Sequence, residues 1–145
     1  MNWINLFGLI IVVLLLLPNI LYALKNRAAE NKCKNKVMNL TEQLGRYSSM
    51  FLMVFHIGID EFGFRSDEAF AIWLMGSASL LLIYWLLWLV YFRSSGFFCA
   101  MMLAIIPSIL FIFNGFILRH WLLVISGCIF SIGHIYVTYQ NNRKE

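Results

Sequence analysis

The sequence predicts an all-α protein, a polytopic transmembrane helix bundle that forms a single domain over residues 1–145. The first observation is composition: 61% of the residues are hydrophobic and only 12% are charged, with a mean hydropathy of +0.78. A soluble domain is about 25% charged, and a small globule must still cover itself with polar surface. The composition therefore excludes an ordinary soluble domain and a disordered chain.

The second observation is a series of apolar stretches of about 20 residues, the length that a spanning helix needs. Four are clear, and they cover residues 3–24, 69–92, 97–118 and 121–139. A fifth stretch, 47–64, is interrupted by His56, Asp60 and Glu61. We predict that it spans with a wet outer end, giving five spans. If it is instead re-entrant or interfacial, the bundle has four.

The third observation is the distribution of Lys and Arg. With five spans, the loop 25–46, the turn 93–96 and the tail 140–145 share one side, which receives nine of the 11 Lys and Arg residues. Only Arg65 and Arg119 face the other side. By the positive-inside rule, the N-terminus lies outside, the C-terminus lies inside and 25–46 is a basic cytoplasmic loop. We expect a multi-pass protein, in the bacterial cytoplasmic membrane.

Several chemistries are disfavoured by the motifs that the sequence lacks. The three cysteines, Cys33, Cys99 and Cys128, include no C-x-x-C pair, so neither a disulfide framework nor a paired-thiol enzyme is predicted. No phosphate loop and no nucleophile elbow occur. A metal site is not predicted, and the sequence identifies no cofactor. The net charge of +4 is assigned to loops near anionic lipid rather than to nucleic-acid binding.

Ionisable and amide side chains inside spans are candidates for function because burying them in lipid is costly. One group falls near the outer ends of the spans and is predicted as an outer ligand-binding cluster: Asn5, His56, Asp60, Asn114 and His120. His56 and Asp60 are one helical turn apart, so they can face the same point. A histidine beside a carboxylate can relay protons or act as a general base. The structural alternative is a buried, hydrogen-bonded histidine.

A second group falls near the inner ends and is predicted as an inner ligand-binding cluster: Asn19, Tyr22, Glu42, Arg46 and His134. Arg46 lies four residues after Glu42, a spacing that favours a helical ion pair. The second helix is therefore predicted to start near Val37 and to enter the membrane from a charged first turn. Arginine also binds phosphate and carboxylate through two parallel hydrogen bonds. Arg46 is therefore predicted either to bind a lipid headgroup or another anion, or to pair with Glu42 at the interface.

Small and polar residues at spacings of three and four predict the protein-facing side of each helix. In the last span this side is predicted to contain His120, Val124, Gly127, Ser131, His134 and Thr138.

No resemblance to a known membrane family extends over enough of the chain to transfer a residue role. The leading hypothesis is a small integral membrane protein that binds, and in one version transports, a lipid or a hydrophobic or anionic small molecule through a polar bundle interior. One alternative is a membrane-embedded enzyme that acts on a lipid or isoprenoid. The other is a non-catalytic interaction or immunity-type protein. A homo-oligomer is compatible with all three hypotheses, and each of them expects the lipid bilayer as a partner.

Overall fold

The computed structural model describes residues 4–26, 31–57 and 63–143. In these segments the chain forms five α-helices: α1 (Leu6–Lys25), α2 (Lys36–Val54), α3 (Asp67–Arg93), α4 (Phe97–Ile117) and α5 (Trp121–Asn142). Helices α1, α3, α4 and α5 are each long and apolar enough to cross a membrane. The protein is therefore an all-helical bundle of the multi-pass membrane class.

Short polar side chains set the starts of three helices. Asn5, Asn35 and Ser66 each accept a hydrogen bond from a backbone N–H two or three residues later, at the N-termini of α1, α2 and α3. Such caps satisfy backbone donors that have no partner inside the helix. Asp67 and Glu68 follow in the first turn of α3, where negative charge is favoured by the helix dipole.

The second helix lies earlier in the chain than the apolar stretch predicts, and it begins one residue from the start near Val37 that the Glu42–Arg46 spacing predicts. The predicted span was 47–64 and the predicted loop was 25–46, whereas α2 begins at Lys36 and ends at Val54. The prediction followed hydropathy, but α2 is two-sided. One side is buried and largely polar, and the other presents exposed apolar side chains, namely Val37, Leu40, Leu44, Tyr47 and Phe51. A search for stretches of high average hydropathy therefore misses the first turns of α2.

Around the bundle the helices are arranged in the order α1, α2, α5, α4, α3. Helix α3 in turn packs against α1, so the five helices form a closed ring. The Asn5 backbone N–H donates to the Val54 carbonyl at 2.7 Å, which joins the start of α1 to the end of α2. The short turns 94–96 and 118–120 make α3, α4 and α5 successively antiparallel. Helices α1 and α3 run in the same direction, with Phe7 beside Trp73 and Tyr22 beside Trp88.

Helix α4 is the most enclosed of the five. Leu110, Phe111 and Asn114, in its C-terminal half, have no exposed surface. By contrast, α1 and α3 turn a row of exposed leucine, isoleucine and phenylalanine side chains outward. In lipid such a surface is at no disadvantage, because the acyl chains are as apolar as leucine.

The alternating helix directions gather the charges at two ends. We call one end the basic end; among the described residues it carries Lys25, Lys32, Lys34, Lys36, Arg93 and Arg143. The opposite end, called the mixed end, carries Arg65, Asp67, Glu68 and Arg119. Arg27 and Lys144, which the sequence assigns to the basic side, lie outside the described residues.

Candidate functional site

Two glycines allow α2 and α5 to pack backbone against backbone. A Cβ atom on Gly45 would lie 2.5 Å from the Cα of Phe130, and one on Gly133 would lie 2.5 Å from the backbone nitrogen of Glu42. Side chains do not tolerate such distances, so glycine is required at both positions. The two contacts also show that the helices are antiparallel, since the partner falls from 133 to 130 as α2 advances from 42 to 45.

Three serines continue this interface toward the mixed end. The hydroxyl of Ser126 on α5 lies 2.9 Å from the hydroxyl of Ser49 and also bonds that of Ser48, both on α2. Ser49 and Ser126 are buried, at 0% and 5% exposure. Buried hydroxyls need partners, and each of these helices supplies the partner for the other. The buried hydroxyl of α2 therefore has its hydrogen-bond partner on α5.

Glu42, Arg46 and His134 meet at the other end of the same interface, and we call them the Glu42 cluster. Nδ1 of His134 lies 2.8 Å from Oε1 of Glu42, and Nη2 of Arg46 donates to the same oxygen. Glu42 is only 8% exposed. A buried carboxylate is costly unless it is paired and hydrogen-bonded, so the two partners explain how Glu42 is tolerated there. The Phe130 ring stacks on the His134 ring, with 4.7 Å between centroids.

Arg46 is the open member of the cluster. Its side chain is 38% exposed, against 10% for that of Glu42. A guanidinium carries five N–H donors, and the bond to Glu42 engages Nη2 alone. Met50 and Met53 follow one and two turns later and pack into the core, so Arg46 lies at the edge of the bundle interior.

Asn19 and Tyr22 belong to a neighbouring group on α1 and α3. The Asn19 amide donates to the Tyr84 hydroxyl at 2.7 Å and to the Leu15 carbonyl at 2.8 Å. Tyr22 packs its ring against Trp88, with 5.3 Å between centroids. Within the described segments no hydrogen bond joins these residues to Glu42. The predicted inner cluster thus divides into a Glu42 cluster between α2 and α5 and an Asn19–Tyr84 pair between α1 and α3.

In the predicted outer cluster, Asn5 and Asn114 are bonded to the protein. Asn5 caps α1 through the Gly8 backbone N–H. Asn114 is fully buried; it accepts a hydrogen bond from the Trp73 indole and donates to the Ser77 hydroxyl at 3.3 Å. These contacts tie α4 to α3, as polar side chains commonly do between membrane helices.

His120 follows a tight turn between α4 and α5. Arg119 has a φ of 57°, and the His120 N–H reaches back to the Gly115 carbonyl at 2.8 Å, which is the pattern of a Schellman cap. Nε2 of His120 lies 3.0 Å from the Ile57 carbonyl, so the ring holds the chain after α2. His56 is half-buried nearby in sequence, and Asp60 lies outside the described residues. Within the described segments, no group of three His, Cys, Asp or Glu side chains could hold a metal ion.

Sequence reasoning missed several residues on which the α2–α5 interface depends. Gly133 and Ser126 face α2, whereas the predicted stripe on the last span included Gly127 and Ser131. Gly127 packs against Ile112 of α4 instead. A usable signal was present: Gly45 and Ser49 are four apart on α2, and Ser126 and Gly133 are seven apart on α5, so each pair lies on one helical face.

The class defined by this geometry is a multi-pass membrane helix bundle with a charged cluster buried between two helices. No family model, curated protein or solved structure matches the chain.

Proposed function

We propose that the protein crosses a bacterial cytoplasmic membrane five times, with its N-terminus outside and its C-terminus inside, and that it binds an anionic amphiphile at the Glu42 cluster. The charge distribution supports the orientation, because the described part of the basic end carries six Lys and Arg residues and no Asp or Glu other than the buried Glu42. That is the bias expected on a cytoplasmic face.

A crossing by α2 is supported by how it packs. Its 19 residues extend about 28 Å, close to the thickness of the hydrocarbon core. It lies antiparallel along α5, which is itself long and apolar enough to span. Its Glu42, Ser48 and Ser49 side chains bond side chains of α5. Its exposed large side chains are mostly apolar, and Gln43 is an exposed polar residue among them. Polar groups satisfied inside a bundle are tolerated at membrane depth.

The observation that carries the binding proposal is the partial exposure of Arg46 beside a buried carboxylate. Glu42, whose carboxylate also contacts His134, holds the guanidinium through Nη2, and the Arg46 side chain stays 38% exposed at the edge of the bundle interior. A carboxylate or phosphate can be bound there by charge-assisted hydrogen bonds. The exposed apolar side of α2 and the adjoining lipid suit the hydrocarbon tail. The ligand class is therefore a single-chain amphiphile with an anionic head.

Binding at this end is better supported than transport through the bundle. A pathway to the mixed end would pass side chains such as Asn114 and His120. Both are buried, and both make hydrogen bonds within the protein. Opening the pathway would break these bonds, so we propose a binding protein whose ligand enters from the leaflet at the basic end.

The test uses oleate as the probe, with oleyl alcohol as its uncharged counterpart. Binding is measured on purified protein in neutral detergent. We expect oleate to bind more tightly than oleyl alcohol, and Arg46→Gln to weaken oleate binding by about tenfold, or roughly 1.4 kcal/mol. Arg46→Lys keeps the positive charge and should lose less oleate affinity than Arg46→Gln.

Arg93→Gln is the matched control, because Arg93 is an exposed arginine at the same end. The binding proposal is wrong if Arg46→Gln and Arg93→Gln affect oleate equally, or if oleyl alcohol binds as tightly as oleate. Circular dichroism of each variant separates loss of binding from loss of fold.

A membrane-embedded enzyme is the second candidate, and the Glu42–His134 pair favours it. A carboxylate that holds an imidazole through Nδ1 leaves Nε2 as the ring nitrogen for proton transfer. Incubating the protein with a lipid extract and analysing the products by mass spectrometry tests this role. Turnover that His134→Gln abolishes would establish it, whereas unchanged lipids would count against it.

A further inference from the structure

A separate surface depression lies at the basic end, between the segment before α2 and the last turns of α5. Its walls are residues 31–35 on one side, and Tyr136 with residues 140–143 on the other. It is distinct from the Glu42 cluster, since Glu42, Arg46 and His134 do not line it. The function proposed above does not account for it.

The segment 31–35 is held in place by side-chain amides. Oδ1 of Asn141 accepts hydrogen bonds from the backbone N–H groups of Lys32 and Cys33, at 2.9 and 3.1 Å. The Asn39 amide donates to the Cys33 carbonyl at 2.9 Å. Cys33 itself is buried at 6% exposure. The wall of the depression is therefore formed before any ligand arrives, which lowers the ordering cost of binding.

The charges around the depression have one sign. Lys32, Lys34 and Arg143 line it, and no Asp or Glu is among the described lining residues. In the described part of the chain the ion pairs are those of Glu42, so these three cations are not neutralised there. Amide side chains also line it, namely Asn31, Asn35, Gln140 and Asn142. A surface of this charge and hydrogen-bonding capacity suits the binding of an oxygen-rich anion.

The position of the depression selects the source of that anion. It lies where α5, a helix long and apolar enough to span, ends. Tyr136, which lines it, and Tyr139 nearby are both exposed, at 36% and 42%; tyrosine favours the membrane interface. Basic depressions at helix ends on the cytoplasmic side bind lipid headgroups. We propose that this depression binds the phosphate headgroup of an anionic phospholipid in the adjoining leaflet.

The experiment measures lipid adducts on the purified full chain by native mass spectrometry. Dioleoyl phosphatidylglycerol is the probe, and dioleoyl phosphatidylcholine is the zwitterionic reference. We expect phosphatidylglycerol to bind preferentially. The double variant Lys32→Gln/Lys34→Gln should weaken its binding by about fivefold or more, since each cation near a lipid surface contributes substantially. Arg143→Gln, a single change at the end of α5, should weaken it in the same direction.

Lys25→Gln/Arg93→Gln is the matched control, because it removes two charges from the same end without touching the depression. It should change phosphatidylglycerol binding less than twofold. Equal losses in the two double variants would overturn the proposal, as would equal binding of the two lipids. Displacement of the lipid by soluble glycerol phosphate would also overturn it, by showing a site for a soluble phosphate. Both double variants retain Arg46, so the comparison between them does not depend on ligand binding at the Glu42 cluster, and the two proposals can fail separately.

Discussion

Glu42 meets consecutive residues of α5 with its backbone and its side chain. Its backbone packs against Gly133, and its carboxylate lies 2.8 Å from Nδ1 of His134. The close packing of α2 on α5 and the Glu42–His134 contact therefore depend on each other, since a side chain at position 133 would displace the Glu42 carboxylate from His134. Both the stability of α2 on α5 and the geometry at Arg46 depend on it.

Gly133→Ala and Gly45→Ala should each destabilise the protein. The added Cβ atoms would lie 2.5 Å from backbone atoms of the facing helix, and backbone cannot move aside as a flexible side chain can. Overpacking of this kind costs about 1–3 kcal/mol. Thermal unfolding in detergent, followed by circular dichroism, should show a lower midpoint for both variants.

Gly96→Ala is the matched control, because the nearest atom to a Cβ there is 4.0 Å away. Gly96 is the N-cap of α4, where alanine is less favourable than glycine, so a small drop in the midpoint is expected, below that of either interface variant. If Gly133→Ala and Gly96→Ala unfold at the same temperature, α2 does not pack on α5 as described.

Glu42→Gln should also destabilise the protein, because the neutral amide replaces an acceptor that Arg46 and His134 share. A hydrogen bond to a charged group contributes about 1.5–3 kcal/mol, and the exposure of Arg46 places the expected loss at the lower end of that range. Chemical unfolding measures it. In a double-mutant cycle with His134→Gln, the two losses should be non-additive, as expected for residues in contact.

Glu68→Gln provides the comparison, since Glu68 is an exposed carboxylate in the first turn of α3. Its loss should stay within about 0.3–1 kcal/mol. Additive losses for Glu42 and His134 would contradict the shared hydrogen bond.

The sequence predicted the membrane-helix class and the charge difference between the two ends, because both depend on composition along the chain. The apolar stretch 47–64 lies too late for α2, because the polar side of α2 faces α5 and lowers its average hydropathy. The Glu42–Arg46 spacing, which is local to one helix, predicted the start near Val37, one residue from the observed Lys36. Hydropathy reports what a segment would expose to lipid when it is alone. Gly45 and Ser49 are buried against a partner helix; their spacing of four marks a packing face in the sequence, but it does not identify α5 as the partner.

The predicted site residues follow the same pattern: a contact within one helix could be predicted, and contacts between elements could not. The Glu42–Arg46 spacing is local to one helix, and the ion pair is present. His134 joins it from 88 positions beyond Arg46 in the sequence, a contact that only the pairing of α2 with α5 creates. Asn114 and His120 were predicted as ligand-binding residues from their polarity alone. Their partners, Trp73 and the Ile57 carbonyl, come from other elements, and polarity cannot identify them.

Asn114→Ala should destabilise the bundle without changing oleate binding. The substitution removes the acceptor of the buried Trp73 indole and the donor to Ser77, and a buried group left without its partner costs about 1–3 kcal/mol. The measurements are thermal unfolding and oleate binding on the same preparation. Asn142→Ala, at the end of α5, is the control and should unfold near the parent temperature. A folded Asn114→Ala protein that no longer binds oleate would support the sequence prediction that Asn114 belongs to a ligand-binding site.

The fifth crossing can be tested by the sidedness of three single cysteines, introduced after Cys33, Cys99 and Cys128 are replaced by alanine. The positions are Asn35 before α2, Ser66 before α3 and Ser95 after α3. If α2 crosses, Asn35→Cys and Ser95→Cys should react with a membrane-impermeant maleimide only from the cytoplasmic side, and Ser66→Cys only from outside. If α2 stays on one side, the positions after it exchange sides, so Ser95→Cys would react from outside. Labelling of Asn35→Cys and Ser95→Cys from opposite sides would therefore rule out the five-span topology.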